Sequence, residues 1–130
     1  MTTAVPLVAI INNDAAFAGL LDTLLRDDGY DTLLQQIGDL AYASIKQQQP
    51  RVIILDISSE IPQESWRVVD LLLLDPTTAA IPVIVCAVAD QVLRDRRPRL
   101  QAAGYALLEK PFTLSELLEQ VRAFVHKPPP

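Results

Sequence analysis

The chain of 130 residues contains one cysteine, one histidine and four glycines, and no apolar run approaches the roughly 20 residues that span a bilayer. A single cysteine excludes an internal disulfide and a CxxC metal site, and we expect Cys86, within an apolar run, to be buried and inert. The glycines form no GxGxxG or GxxxxGK[ST] loop, and HExxH and GxSxG motifs are missing as well. The sequence therefore gives no support for a nucleotide enzyme, a metalloprotease or a hydrolase.

What is present is the composition of a globular domain, with half of the residues hydrophobic and about a fifth charged. The net charge of -5 argues against nucleic acid as the main partner, because phosphate binding needs a clustered positive surface. The first residues lack the pattern of a signal peptide, and we expect a cytoplasmic protein without membrane contact. We predict one domain over residues 1–126, followed at 127–130 by a proline-rich tail or the start of a linker.

Short apolar runs typical of buried strands alternate with segments whose apolar residues recur at helical spacing. The predicted strands are 7–11, 31–35, 51–56, 81–87 and 105–108. The predicted helices are 15–28, 40–48, 65–74, a segment within 90–103 that Pro98 either starts or kinks, and 114–125. The second strand is the least apolar, which favours a place near the sheet edge. Of the four leucines at 71–74, we expect one or two to be exposed.

This alternation predicts an α/β fold, a doubly wound five-stranded parallel sheet in a three-layer α/β/α sandwich. The carboxyl ends of parallel strands meet at one edge, where such folds bind ligands. Asn12 and Asn13 follow the first strand, Asp56 ends the third, Ala87 ends the fourth, and Lys110 comes just after the fifth. A carboxylate is a competent covalent acceptor, and a lysine ammonium stabilises a transferred anionic group. The alternative for Asp56 is an acid that caps a turn, and asparagines also suit a turn and a helix cap.

At these residues the chain resembles the receiver domain of two-component response regulators, over about 7–125. Four segments carry the resemblance by their order and spacing: VAIINN at 8–13, VIILD at 52–56, DPTTAAIPVIV at 75–85 and LEKPF at 108–112. The resemblance implies a flavodoxin-like topology. It also implies a domain that takes a phosphoryl group from a histidine kinase onto one aspartate, using Mg²⁺, and then changes a surface that contacts an output.

The resemblance further implies roles for individual residues. Asp56 would be the phosphoacceptor, and Lys110, joined by a cis bond to the proline after it, would contact the phosphoryl oxygens. The Mg²⁺ ligands would be Asp56, the residues at the positions of Asn12 and Asn13, and the backbone carbonyl of Ser58.

The sequence departs from the family pattern at three of its positions. The acidic pair falls on Asn12 and Asn13, the hydroxyl residue of strand four falls on Ala87, and the aromatic residue of strand five falls near Leu107 in a strand that is one residue short. Compared with the family pattern, the formal carboxylate charge of the site is about -1 instead of about -3. Each charge contributes roughly 1 to 4 kcal/mol to the binding of a cation at contact distance. We therefore predict a weak Mg²⁺ site or none, with Asp56 and Lys110 forming a resting ion pair.

These departures lead to two functional hypotheses. The first is a degenerate receiver, not an enzyme, that signals through protein contacts with little or no phosphorylation. The second is a working phosphoacceptor that takes phosphate from a histidine kinase onto Asp56, with Asn13 and water completing a weak Mg²⁺ site. A flavin-binding domain of similar topology is disfavoured, because residues 12–19 lack a hydroxyl-rich phosphate cradle.

A local basic patch stands out on this acidic chain, formed by Arg94, Arg96, Arg97 and Arg99. It is either a solvated helix face or a partner surface, since receivers commonly dimerise through helix four, strand five and helix five. The partners we expect are a histidine kinase or another signalling protein, with a homodimer through that face as a further possibility, and no nucleic acid or membrane.

Overall fold

A computed structural model of the chain describes residues 4–126 and contains five strands and five helices in strict alternation there. The strands are β1 (Leu7–Ile11), β2 (Asp31–Gln35), β3 (Val52–Asp56), β4 (Val83–Val88) and β5 (Ala106–Lys110). The helices are α1 (Ala15–Asp27), α2 (Asp39–Gln48), α3 (Pro62–Leu74), α4 (Gln91–Ala102) and α5 (Leu114–Val125). The predicted tail at 127–130 lies outside the described residues.

The five strands form one parallel sheet in the order β2-β1-β3-β4-β5. β2 lies at an edge, as its polar composition predicts, and the central strands are buried on both faces. The register sets Asp56 of β3 opposite Cys86 of β4, and Val88 of β4 opposite Lys110 of β5. The ends of the last three strands are thereby held side by side.

Alternate residues of each strand enter two hydrophobic cores on opposite faces of the sheet. Ile53 packs with residues of α2, α3 and α4, whereas the next residue, Ile54, packs with residues of α1 and α5. This is the predicted three-layer α/β/α sandwich. Fully burying one such aliphatic side chain stabilises the fold by about 1.5–3 kcal/mol. Cys86 is buried, as predicted, and of the leucine run Leu74 is 70% exposed.

Three elements have a boundary that differs from the prediction by two residues or more, each for a local reason. α3 begins at Pro62 rather than at residue 65, because proline is compatible with the first helical position and the polar first turn hides the helical period. β4 is 83–88 rather than 81–87, since Pro82 has no N–H to donate to the sheet. β5 is 106–110 rather than 105–108, because Glu109 and Lys110 pair with the end of β4. Lys110 is thus the last residue of the strand, which is not one residue short.

Helix α4 continues through Pro98, so the proline lies inside the helix rather than at its start. Asp90 caps the helix by accepting a hydrogen bond from the Leu93 backbone N–H at 2.9 Å. Only Leu93 and Leu100 of this helix are buried, seven residues and two turns apart. Most of the surface of α4 therefore faces solvent. No helix within the described residues is both long and apolar enough to cross a membrane.

A polar cluster fixes α2 to the end of α3, on the side chain of Asp75. The Asp75 carboxylate accepts hydrogen bonds from the Tyr42 hydroxyl and from the backbone and side chain of Thr77, and Lys46 Nζ lies 3.0 Å from it. These interactions, that of Tyr42 first, hold the pKa of Asp75 well below its usual value of 3.8. The carboxylate therefore stays ionised in all but strongly acidic solution.

Candidate functional site

The centre of the site is an ion pair between the last residues of two strands. Asp56 Oδ1 of β3 lies 2.7 Å from Lys110 Nζ of β5, and the side chains are 18% and 28% exposed. Lys110 Nζ also donates a hydrogen bond to the backbone carbonyl of Ile57 at 3.0 Å. The resting ion pair predicted from the sequence is confirmed, and the peptide bond from Lys110 to Pro111 is cis, as the resemblance implies.

The two asparagines use their side-chain oxygens to organise the neighbouring loops. Asn12 Oδ1 accepts a hydrogen bond from the Asp14 backbone N–H at 2.8 Å, which closes the turn between β1 and α1. Asn13 Oδ1 accepts one at 2.7 Å from the backbone N–H of Ile37, in the loop between β2 and α2. The N-cap of α1 is Asp14, which accepts from Phe17 N at 3.1 Å. Asn12 thus has the turn role that the alternative interpretation gives it, whereas Asn13 binds the loop after β2, and neither asparagine caps α1.

The remaining predicted positions provide little further chemistry. Ala87 lies on β4 with 2% of its surface exposed, and its methyl group cannot donate a hydrogen bond. Ser58 is two residues beyond β3; its backbone N–H donates to Ser65 Oγ at 3.1 Å, and its hydroxyl oxygen accepts from Glu60 N at 3.2 Å. The loop after Asp56 is therefore held by its own hydrogen bonds.

Cys86 lies beside Asp56 in the sheet but is chemically inert. Burial, with a smaller contribution from the Asp56 charge, raises the pKa of its thiol to about 12. The thiolate is the reactive form of cysteine, so this side chain is neither a nucleophile nor a metal ligand at neutral pH.

Similar proteins agree with this architecture. No family model matches the chain. RpaA, a DNA-binding dual master transcriptional regulator of Synechocystis sp., is 31% identical over 123 residues, which cover 94% of this chain and 50% of the regulator. The signal receiver domain of a putative LuxO repressor protein from Vibrio parahaemolyticus has a TM-score of 0.77 at 24% identity, over 94% of this chain and 91% of that domain.

The chain is a receiver domain of the response regulator family. It spans about half the length of the curated relatives it matches. A second similar structure is the receiver domain of a sensor histidine kinase from Pseudomonas aeruginosa, with a magnesium ion coordinated in its active site cleft. Its TM-score is 0.70 at 20% identity, over 94% of this chain and 98% of that one. The predicted fold class and flavodoxin-like topology are confirmed.

The donor set of this receiver domain fits Mg²⁺ poorly. Mg²⁺ prefers carboxylate oxygens in octahedral geometry. Asp56 is the only carboxylate among the predicted ligands, and the Lys110 ammonium already neutralises it. The amide oxygens of Asn12 and Asn13 are neutral and accept backbone hydrogen bonds. Within residues 4–126, no three His, Cys, Asp or Glu side chains are grouped so that they could hold a metal ion.

The sequence also left several contacts of the receiver domain unpredicted. Arg96 of α4 lies with its guanidinium carbon 4.6 Å from the centre of the Trp66 ring and pairs with Asp70 of α3 at 2.8 Å. Arg97 pairs with Glu109 of β5 at 2.5 Å. The helical spacing of the arginines could have indicated that they make contacts from one helix. Their acidic partners lie on other elements, however, and could not be identified from the sequence. The backbone groups that bind Lys110 and Asn13 could not be predicted from the sequence, because the backbone has the same polar groups along almost the whole chain.

Proposed function

We propose that this receiver domain is degenerate and signals through protein contacts, with little or no phosphorylation of Asp56. One observation carries the proposal: the Asp56 carboxylate is held by Lys110 at 2.7 Å. Asn12 and Asn13, to which the resemblance assigns the acidic pair, have neutral amide oxygens that accept backbone hydrogen bonds. Under this proposal the domain is not an enzyme. At most, Asp56 accepts a phosphoryl group, and the domain itself catalyses this transfer and the later hydrolysis of the phosphoryl group.

Charge explains why the transfer is disfavoured. A phosphodonor brings negative charge to the Asp56 carboxylate, and Mg²⁺ is the group that offsets this repulsion in sites of this kind. Two missing carboxylates, at roughly 1 to 4 kcal/mol each, lower the affinity for Mg²⁺ by about thirtyfold or more. Ala87 supplies no hydroxyl that would bind the transferred group. Only the Lys110 ammonium remains to stabilise it.

The second candidate is a working phosphoacceptor with a weak Mg²⁺ site completed by Asn13 and water. One feature favours it: among residues 4–126 nothing donates a hydrogen bond to Asp56 Oδ2, so this oxygen is available to attack phosphorus. In that case Lys110 would move from the carboxylate to the phosphoryl oxygens.

A phosphorylation assay separates the two candidates. The protein is incubated with phosphoramidate at millimolar Mg²⁺, and its intact mass is recorded over time beside that of Asp56→Ala. The degenerate receiver predicts no adduct in either protein. A phosphoryl adduct that forms on the wild type and is lost in Asp56→Ala would overturn the proposal in favour of the second candidate.

Restoring the acidic pair tests the assignment of the metal positions. Asn12→Asp with Asn13→Asp should raise the affinity for Mg²⁺ by about thirtyfold or more, because two charges return to the site. The matched control adds Asp56→Asn to the same background and should lose much of that gain. Mg²⁺ affinity is measured by calorimetry. An unchanged affinity in the double variant would show that Asn12 and Asn13 are not the positions of the acidic pair.

The partners we propose for this domain are a histidine kinase or another signalling protein, or a second copy through the face of α4, β5 and α5. The domain itself has no nucleic-acid partner, as its net charge of -5 suggests.

We propose residues 1–126 as the receiver domain and residues 127–130 as a tail or the start of a linker. A cytoplasmic location suits it, because relatives such as RpaA are named as DNA-binding regulators.

A further inference from the structure

A cavity of about 960 Å³ lies at the amino ends of the strands, at the edge of the sheet opposite to Asp56. Five apolar side chains contribute to its walls: Val5, Pro6, Ile81, Pro82 and Phe124. Val5 is 54% exposed, although its side chain is aliphatic. Cavities of this size with apolar walls are typical of sites that bind a ligand or a chain segment. The lower edge of the sheet therefore has an apolar surface that is open to an occupant.

The walls of this cavity offer few free hydrogen-bonding groups of the backbone. Pro6, Pro50 and Pro82 line it, and proline has no N–H. The carbonyls of Pro6, Leu7 and Pro82 already accept hydrogen bonds from backbone N–H groups, at 2.9, 2.8 and 3.0 Å. An ordinary peptide segment in the cavity would leave N–H groups without partners, at a cost of about 1–3 kcal/mol for each buried one. The cavity therefore favours a segment that has no N–H groups.

The last turn of α5 brings the chain to the rim of the cavity. Phe124 forms part of the wall, and Arg51, which also lines the cavity, donates a hydrogen bond from Nη2 to the carbonyl of Val125 at 2.8 Å. Arg122 pairs with Asp28 at 2.9 Å and ties the same turn to the end of α1. The chain therefore leaves α5 from a fixed position beside the cavity.

The residues that follow α5 have the chemistry that the cavity favours. Lys127 is followed by three consecutive prolines, Pro128, Pro129 and Pro130, none of which has a backbone N–H. A residue before proline is biased away from the helical conformation, and a run of prolines is extended at about 3.1 Å per residue. Residues 127–130 thus reach about 12 Å from the end of α5. That is long enough for the prolines to enter a cavity at whose rim they start.

We propose that this cavity binds the chain's own proline-rich tail, residues 128–130. The proline rings pack against the apolar walls, while Lys127 and the carbonyls of the tail stay in water at the open rim. Because a run of prolines is already extended, little ordering is needed on docking. The docked tail fixes the direction in which the chain leaves α5. This inference goes beyond the proposed function and is independent of it, since Asp56 lies at the opposite edge of the sheet.

Tethering favours the chain's own tail over a proline-rich segment of another molecule. A segment that is joined to its site by a short connection has an effective concentration in the millimolar range. A second copy or a partner protein competes only at its own concentration in solution. The tail starts beside the cavity and therefore has this advantage over any segment supplied by another molecule.

Nuclear Overhauser effects in the full chain test the docking, because they report protons that are in contact. We expect effects between the rings of residues 128–130 and the side chains of Val5 and Ile81, which are distant in the sequence. Replacing the three prolines of the tail by serine adds three N–H groups and should weaken docking by at least about tenfold. The amide signals of Gln49 and Gly104 should shift in that variant, whereas signals beside Asp56 should not.

A blocked cavity provides a second variant. Ala80 is exposed on the cavity wall, and Ala16 is exposed on α1, outside the cavity. Ala80→Trp fills the space and should weaken the effects from the tail by at least about tenfold, whereas Ala16→Trp should change them by less than about twofold. Missing effects in the wild type, or equal effects in the two tryptophan variants, would overturn the proposal. The serine variant leaves residues 4–126 unchanged, so the test does not depend on the folding of Ala80→Trp.

Two further outcomes would replace the chain's own tail by another occupant. Effects that disappear on dilution of the protein would make the occupant the tail of a second copy. A free peptide of ten prolines that displaces the tail at micromolar concentration would make the cavity a site for a proline-rich segment of another protein. Either result would overturn the proposal. All of these measurements omit any phosphodonor, so an adduct on Asp56 in the separate mass assay refutes the proposed function without deciding the result at the cavity.

Discussion

The ion pair between Asp56 and Lys110 makes a quantitative prediction about stability. At 2.7 Å the attraction is about 6 kcal/mol for an effective dielectric constant of 20. Desolvation and side-chain ordering oppose most of this, and the exposures of 18% and 28% place the pair between surface pairs of about 0–1 kcal/mol and buried ones of about 3–5 kcal/mol. We therefore expect a coupling free energy of about 1.5 kcal/mol.

A double-mutant cycle measures this coupling directly. Asp56→Asn, Lys110→Met and the double variant are unfolded in urea beside the wild type, and the free energies of unfolding are compared. Lys110→Met should be the more destabilising single change, because it leaves the carboxylate without a partner and removes the hydrogen bond to Ile57 O. For a chain of this length, 1.5 kcal/mol corresponds to about 5 °C in Tm.

A matched cycle on an exposed pair serves as the control. Arg67 and Asp39 lie 3.2 Å apart with side chains 63% and 71% exposed, and their coupling should remain below about 0.5 kcal/mol. The reasoning is refuted if the coupling of Asp56 and Lys110 falls below about 0.4 kcal/mol, the usual additivity error, or does not exceed that of the exposed pair.

Three other changes test contacts away from the site. Arg96→Ala removes a stacking and an ion-pair contact with α3, so we expect a loss of about 1 kcal/mol and a red shift of Trp66 emission, whereas Arg99→Ala should alter neither. The pKa of Asp75 is lower in the folded protein than in the unfolded chain. Its ionised carboxylate therefore stabilises the fold above about pH 4, and this contribution is lost as the pH falls further. Tm from pH 2 to 7 should therefore fall less steeply in Asp75→Asn, and parallel curves would contradict this. Tyr105→Phe removes a buried hydroxyl without a hydrogen-bond partner among residues 4–126, so stability to urea should rise by about 1 kcal/mol, and a decrease would show that the hydroxyl is satisfied.

The order of the elements could be predicted from the sequence because it depends on local chemistry. Apolar runs marked β1 and β3. Thr113 followed three residues later by Glu116 has the sequence pattern of a capping box, which is formed at the start of α5. Boundaries were less predictable where tertiary pairing decides them. β5 extends to Lys110 because its last residues pair with β4. The residues of β5 themselves do not indicate that β4 lies beside them.

Sequence alone determined which residues meet at the edge of the sheet, since parallel strands bring Asp56 and Lys110 together whatever the details of packing. It also determined what is missing, because Asn12, Asn13 and Ala87 carry no charge or hydroxyl. Only the tertiary structure decided how the remaining groups are used. The asparagine amides bind backbone N–H groups of nearby loops, and two of the four arginines of α4, Arg96 and Arg97, form ion pairs with other elements. Such contacts depend on distances and directions between separate elements, which the identities of the residues do not specify.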